Sequence, residues 1–223
     1  FIFCCFLILN ACTKNTIDIE KPITLPEQGK LSQESTDALQ KGAFDIFRHT
    51  NQLNNDKDNV IISPLSVQFA IGMANNGAKG NTLEQLMSMN GQVGSDLTQL
   101  NEQLAYLYNY LIKDRSGLKF NVANGVFYDA GKFTINASYF DALARYYSPE
   151  KKSLDFKQVT QSLAVINDWV NDKTNGKIEK VLDDISEDEF MFLINAIYMK
   201  ADWDLPFPSE LTQDQQFVME NGT

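Results

Sequence analysis

The sequence predicts an α+β fold built as one domain, and three observations predict it. Apolar residues recur at helical spacing in successive segments from Ser35 to Thr174. Two segments, Lys119 to Tyr128 and Glu189 to Lys200, carry strand patterns, and no internal repeat interrupts the order. The chain has 223 residues, with 43% hydrophobic and 22% charged, which is ample for a sizeable core and excludes a disordered or many-span membrane protein.

The first element is a leader. Phe1 to Leu9 is an unbroken apolar run followed by Asn10, Ala11 and Cys12, the length of a signal-peptide hydrophobic region and too short to span a bilayer. Leu9-Asn10-Ala11-Cys12 resembles the lipobox of bacterial lipoproteins, where a small residue before cysteine lets the signal peptidase close on the chain and the thiol takes the lipid. That resemblance implies lipidation of Cys12, a membrane partner reached through the lipid rather than a spanning helix, and a place in a bacterial envelope, periplasmic or surface-exposed. Thr13 to Gln33, with Pro22, Pro26 and Gly29, is expected to be a tether. The expected organisation is therefore 1–12 leader, 13–33 tether and 34–223 folded domain. The missing initiator Met and the polar ending at Thr223 suggest truncation at both ends.

The body follows in order. Leu39, Ala43, Phe44 and Phe47 mark one face of a helix from Ser35 to Leu53, ending in turn-forming residues around Asn54 and Asn55. Val60-Ile61-Ile62 predicts a short strand. Ser63-Pro64 then opens a helix, the serine placed to cap free N–H groups and the proline at the first turn where its missing donor costs nothing. That helix has almost no polar stripe from Leu65 to Ala74, so it should be buried all round, with Gly77 its stop. Thr82-Leu83-Glu84-Gln85 has the form of a capping box, Gly91 to Ser95 is a break, and Leu97, Leu100, Leu104, Leu107 and Leu111 line a long helix.

Phe120, Val122, Asn124, Val126 and Tyr128 alternate on one strand face, and Asp129-Ala130-Gly131 turns the chain. A helix from Ala137 to Tyr147 presents Phe140, Leu143, Ala144 and Tyr147; Lys152 to Phe156 is a short strand; Gln161 to Thr174, with Ile166, Trp169 and Val170, is a helix closed by Asn175-Gly176. Glu189 to Lys200 is apolar on both faces from Phe190 to Met199 except at Asn195, so it belongs in the middle of a sheet covered on both sides. A buried amide there costs about 1 to 3 kcal/mol unless something polar meets it.

Much chemistry is excluded. With 19 basic against 29 acidic residues the net charge is -10, and the absence of a Lys/Arg cluster argues against nucleic acid. Cys4, Cys5 and Cys12 all lie in the leader, leaving the body no thiol for a disulfide, a zinc site or a nucleophile. His49 is the sole histidine and falls near a helix end, where the dipole gives it a bland role, so a hydrolytic triad has no base. Gly77 to Thr82 lacks phosphate-loop spacing, and Asp183-Asp184 with Glu187-Asp188-Glu189 fits a solvated loop. Neither a metal nor a cofactor is expected, and the protein is not expected to be an enzyme.

Asn59 to Val67 followed by Gly77 to Leu86 resembles the early signature of serpins. Further matches follow in order: Phe120 to Tyr128, Ile166-Asn167-Asp168-Trp169-Val170, Thr174-Asn175-Gly176-Lys177-Ile178, and Asn195-Ala196-Ile197-Tyr198 with Lys200, Trp203, Phe207, Thr212 and Phe217. Met199 stands where the family prefers Phe, and Ala201 where it often has Gly. The resemblance covers Ser35 to Thr223 and implies the serpin fold of many helices and three β-sheets, here its N-terminal portion.

The resemblance also implies a function: inhibition of serine, or cysteine, proteases by conformational trapping, in which a cleaved reactive loop inserts into the main sheet as a new strand. The loop and its scissile bond lie beyond Thr223 in that scheme. Ser63, Ser66 and Asn195 match the family's polar shutter, Trp203 its breach where insertion begins, and the helix with Trp169 the one that must move aside. The partner is then a target protease, with the inhibitor itself a monomer. The alternatives are a non-inhibitory serpin serving as chaperone or ligand carrier and a hydrolytic surface lipoprotein, which the missing catalytic histidine disfavours.

Overall fold

The computed structural model describes residues 2–4, 31–54, 59–94, 96–216 and 218. Cys12, the tether up to residue 30, and Asn55, Ser95 and Phe217 lie outside them. The elements in chain order are β1 (Ile2–Cys4), α1 (Gln33–Leu53), α2 (Pro64–Asn75), α3 (Gly80–Met89), α4 (Leu97–Leu111), β2 (Leu118–Tyr128), α5 (Ala137–Tyr146), β3 (Glu150–Ser153), α6 (Val159–Lys173) and β4 (Met191–Ala201), with a short 3₁₀ turn at Ser209–Leu211.

The sheet has the order β1-β4-β2-β3. Its spine is the antiparallel pair β2 and β4, in register from Leu118 opposite Ala201 to Tyr128 opposite Met191. β3 runs parallel to the last residues of β2, Gly125 to Tyr128, and β1 runs parallel to Leu193–Asn195 of β4. Beyond Asn195 the outer edge of β4 has no ladder partner among the described residues.

Alternation along β2 and β4 splits the core in two. Val122, Val126 and Ile197 join Phe69 and Met73 of α2, Leu100 and Leu104 of α4, and Leu143 and Tyr147 on one face. Phe127, Phe192, Ile194 and Ala196 join Ile166, Trp169 and Val170 of α6 on the other. From Phe192 to Ile197 the central strand is therefore covered on both faces, as the apolar residues on either side of Asn195 require. α2 is enclosed too: every residue from Ser66 to Met73 is buried.

Several local expectations are corrected. Val60-Ile61-Ile62 forms no strand, because no described strand lies alongside to share a ladder, and Ile61 is exposed. On α1 the buried face is Ser35, Leu39 and Gly42, while Phe44 and Phe47 point outward. The small residue decides this, since a Cβ on Gly42 would come within 2.8 Å of the Asn90 and Gly91 backbone. The capping box at Thr82 is not formed: the chain enters α3 at Gly80, with extended Lys79 at the cap and Thr82 already inside the helix.

The strand expected at Lys152 to Phe156 lies earlier, at Glu150–Ser153, because pairing with β2 ends there and Phe156 turns into the core. α2 closes at Asn76, one residue before Gly77. Ala144 of α5 is exposed, with Tyr139 and Leu143 taking the buried face. Phe190 precedes β4; its carbonyl accepts from the Asp129 N–H and its ring packs edge-on to Phe133.

Candidate functional site

The site starts from Ser63. Its side chain accepts from the Ser66 N–H and so caps α2, with Pro64 in the first turn. One turn into the helix, Ser66 is wholly buried, and its hydroxyl reaches β4: it donates to the Asn195 Oδ1 at 2.6 Å and lies 3.1 Å from the Asn195 carbonyl oxygen. The buried amide predicted from the sequence therefore meets its partner from α2.

The chain of hydrogen bonds continues across the sheet. Asn124 stands directly opposite Asn195 on β2, and the Asn195 amide donates to its Oδ1 at 2.8 Å. The Asn124 amide donates to the Tyr147 carbonyl at 2.7 Å. From the same residue the Tyr147 hydroxyl donates to the Asn101 Oδ1 at 2.6 Å, and Asn101 exchanges amide bonds with Asn76 at 2.9 and 3.0 Å. Burial pushes the Tyr147 hydroxyl far up, so it stays a neutral donor. The network leaves α2 at Ser66 and returns to its far end at Asn76, tying α2 to β4, β2, the end of α5 and α4.

The structure thus brings Ser63, Ser66 and Asn195 together and leaves Trp203 apart. Trp203 follows β4 in the segment toward the 3₁₀ turn, 60% exposed and edge-on to Phe207 at 5.5 Å. Asn124, Tyr147 and Asn101 were not singled out from the sequence. Asn124 had a usable signal, a lone amide at an inward position of an alternating strand; Tyr147 and Asn101 carried none, because an aromatic at the end of α5 and a single amide within α4 are both common.

The arrangement is structural polarity rather than chemistry. Ser66 has no base beside it, its hydroxyl being spent on Asn195. His49 is exposed on α1 with its Nδ1 on the Asp45 carbonyl. Among the described residues no group of three His, Cys, Asp or Glu side chains could hold a metal ion.

Comparison with known proteins places this geometry. A sequence profile of the family described as Serpin (serine protease inhibitor) matches residues 37–223. Corticosteroid-binding globulin of Rattus norvegicus is 33% identical over 183 residues, covering 81% of this chain and 45% of that protein. Alpha-1-antiproteinase 2 of Equus caballus is 28% identical over 216 residues, covering 95% and 49%. Among solved structures, the thermophilic serpin tengpin in its latent state superposes with a TM-score of 0.75 at 28% identity, over 87% of this chain and 51% of tengpin. Its native state gives 0.75 at 26% identity. The chain spans about half the length of the relatives it matches.

Proposed function

The chain belongs to the serpin family, and from that premise we propose that it supplies the N-terminal part of a serine-protease inhibitor that works by conformational trapping. The observation that carries this reading is the outer edge of β4. Beyond Asn195 that edge has no ladder partner among the described residues, the strand is covered on both faces from Phe192 to Ile197, and the Ser66–Asn195–Asn124 bonds tie it to α2 and β2. An edge supported in this way can accept a further strand without loss of its own core. Ser63, Ser66 and Asn195, joined by Asn124, then act as the shutter beneath the insertion point, and Trp203 stands at the breach where insertion starts.

A second reading is favoured by the likeness to corticosteroid-binding globulin, a relative named for the ligand it binds: a non-inhibitory serpin serving as ligand carrier or chaperone. The experiment that separates the two uses the complete protein, this chain continued through its reactive loop. Incubation with trypsin-, chymotrypsin- and subtilisin-like proteases is expected to give a complex that survives detergent and boiling, and loop cleavage is expected to raise the melting temperature. Cleavage without either result would favour the carrier. We further propose lipidation at Cys12 and a bacterial-envelope location, checked by mass spectrometry of the membrane fraction for acyl chains on Cys12; a free thiol there refutes it.

A further inference from the structure

The face of the sheet opposite α2 carries α6, held by two kinds of contact. Ile166, Trp169 and Val170 are buried, and the Trp169 ring stands edge-on to Phe127 at 5.4 Å. A Cβ on Gly125 would come to 3.0 Å from that ring, so the indole lies directly on the backbone of β2. Apolar contact is non-directional and leaves a helix free to slide. Direction relative to the sheet comes from one carboxylate. Trp169 and Lys173 share a helix face four residues apart, and both reach Glu150 of β3: the indole N–H donates to Oε2 at 3.0 Å, and the Lys173 Nζ lies 2.5 Å from Oε1. Glu150 is itself placed by the pairing of β3 with β2, opposite Gly125. The rest of α6 is tied to its flanking segments rather than to the sheet: the Ser162 hydroxyl donates to the Asp155 carbonyl, and Asn167 donates to the Leu182 carbonyl and accepts from the Val181 and Leu182 N–H groups.

We propose that Glu150 is a positioning residue that latches the C-terminal half of α6 to β3 and so sets how fast α6 yields when a strand enters the sheet. The proposal rests on the conformational-trap reading above. α6 lies over both β2 and β4, so a strand added beside β4 displaces the floor under the helix. A helix held by apolar contact alone would slide with that floor, whereas one bonded to β3 must first break those bonds. The Glu150 side chain is about half exposed, at 49%, so water competes for the carboxylate and the latch can open.

The test uses the complete protein with Glu150→Ala, Lys173→Met and Trp169→Phe. Hydrogen exchange is read separately for residues 159–173 and 64–75, alongside the rate of loop insertion with a trapping protease. Glu150→Ala is expected to speed exchange in α6 roughly 5- to 30-fold with α2 unchanged, and to speed insertion. Lys173→Met should give a smaller effect, and Trp169→Phe, which also loses buried ring contact, should cost less in the Glu150→Ala background than in the parent protein. Unchanged α6 exchange, or a parallel rise in α2 that marks general loosening, would overturn the latch. If no protease is trapped by any form yet α6 alone loosens, the inhibitor reading fails and the latch stands. If trapping is intact and α6 does not respond, the latch fails and the inhibitor reading stands.

Discussion

Asn195→Ala in the complete protein is the most direct probe of the buried network, and its cost can be worked from the bonds. The side chain is wholly buried and makes two hydrogen bonds, accepting from Ser66 and donating to Asn124. Ser66 is not orphaned by the change, because its hydroxyl keeps the residue 195 carbonyl at 3.1 Å. The Asn124 amide nitrogen keeps the Tyr147 carbonyl. One acceptor, the Asn124 Oδ1, therefore loses its donor in the core, which costs about 1 to 3 kcal/mol. Asn124→Ala should cost at least as much, since it strips both the Asn195 amide and the Tyr147 carbonyl of this partner. The double variant should cost less than the sum, because each substitution removes the group that the other would orphan. Denaturant midpoints followed by tryptophan fluorescence give the three values, and native gels after warming are expected to show loop-sheet polymers in the single variants. Two single variants within about 0.5 kcal/mol of the parent protein, or a strictly additive double, would refute the reasoning.

Three further outcomes are expected. Gly91→Ala should destabilise strongly, because Gly91 holds φ at +75° and a Cβ there would sit 1.8 Å from the Ala38 carbonyl oxygen; a midpoint equal to the parent would contradict that close approach. Asn75→Leu should stabilise by about 1 to 3 kcal/mol, since both polar side-chain atoms of Asn75 are buried without a hydrogen-bond partner at the end of α2, and a lower midpoint would count against it. Acid should loosen α6. Burial raises the Glu150 pKa, but Lys173 and Trp169 outweigh it, with Lys152 assisting, and hold the carboxyl below its ordinary 4.5. Lys173, raised by the same contact, stays charged throughout. A depressed carboxyl contributes stability above its ordinary pKa and loses it as pH falls through the folded value. Exchange in α6 should therefore rise only below about pH 4.5, and a rise near neutrality would refute this origin.

The long-period signals were legible in the sequence because they are set by burial. The apolar run around Asn195 could only be a strand covered twice, and the stripe-free helix after Ser63 could only be enclosed. Both expectations were met, and the orphan amide between them correctly demanded a polar partner. What could not be read was set by contacts between elements. Phe44 and Phe47 looked like the inner face of α1 until the close approach of Gly42 to Gly91 turned that face away. Thr82 had the form of a cap, yet the chain entered the helix at Gly80. Val60 to Ile62 has strand composition but no described neighbour, and composition cannot supply a ladder. Tyr147 joined the network through its main-chain carbonyl as well as its hydroxyl, which no residue-type pattern announces.

The bond from Ser66 to Asn195 spans 129 positions of the chain. At ordinary rates of synthesis the ribosome needs roughly 6 to 26 s to cover that distance. Throughout that interval the largely apolar helix α2 has been made and the strand that covers it has not. A newborn copy therefore carries its most enclosed helix without its partner strand until β4 emerges, and the buried network can close only late in synthesis.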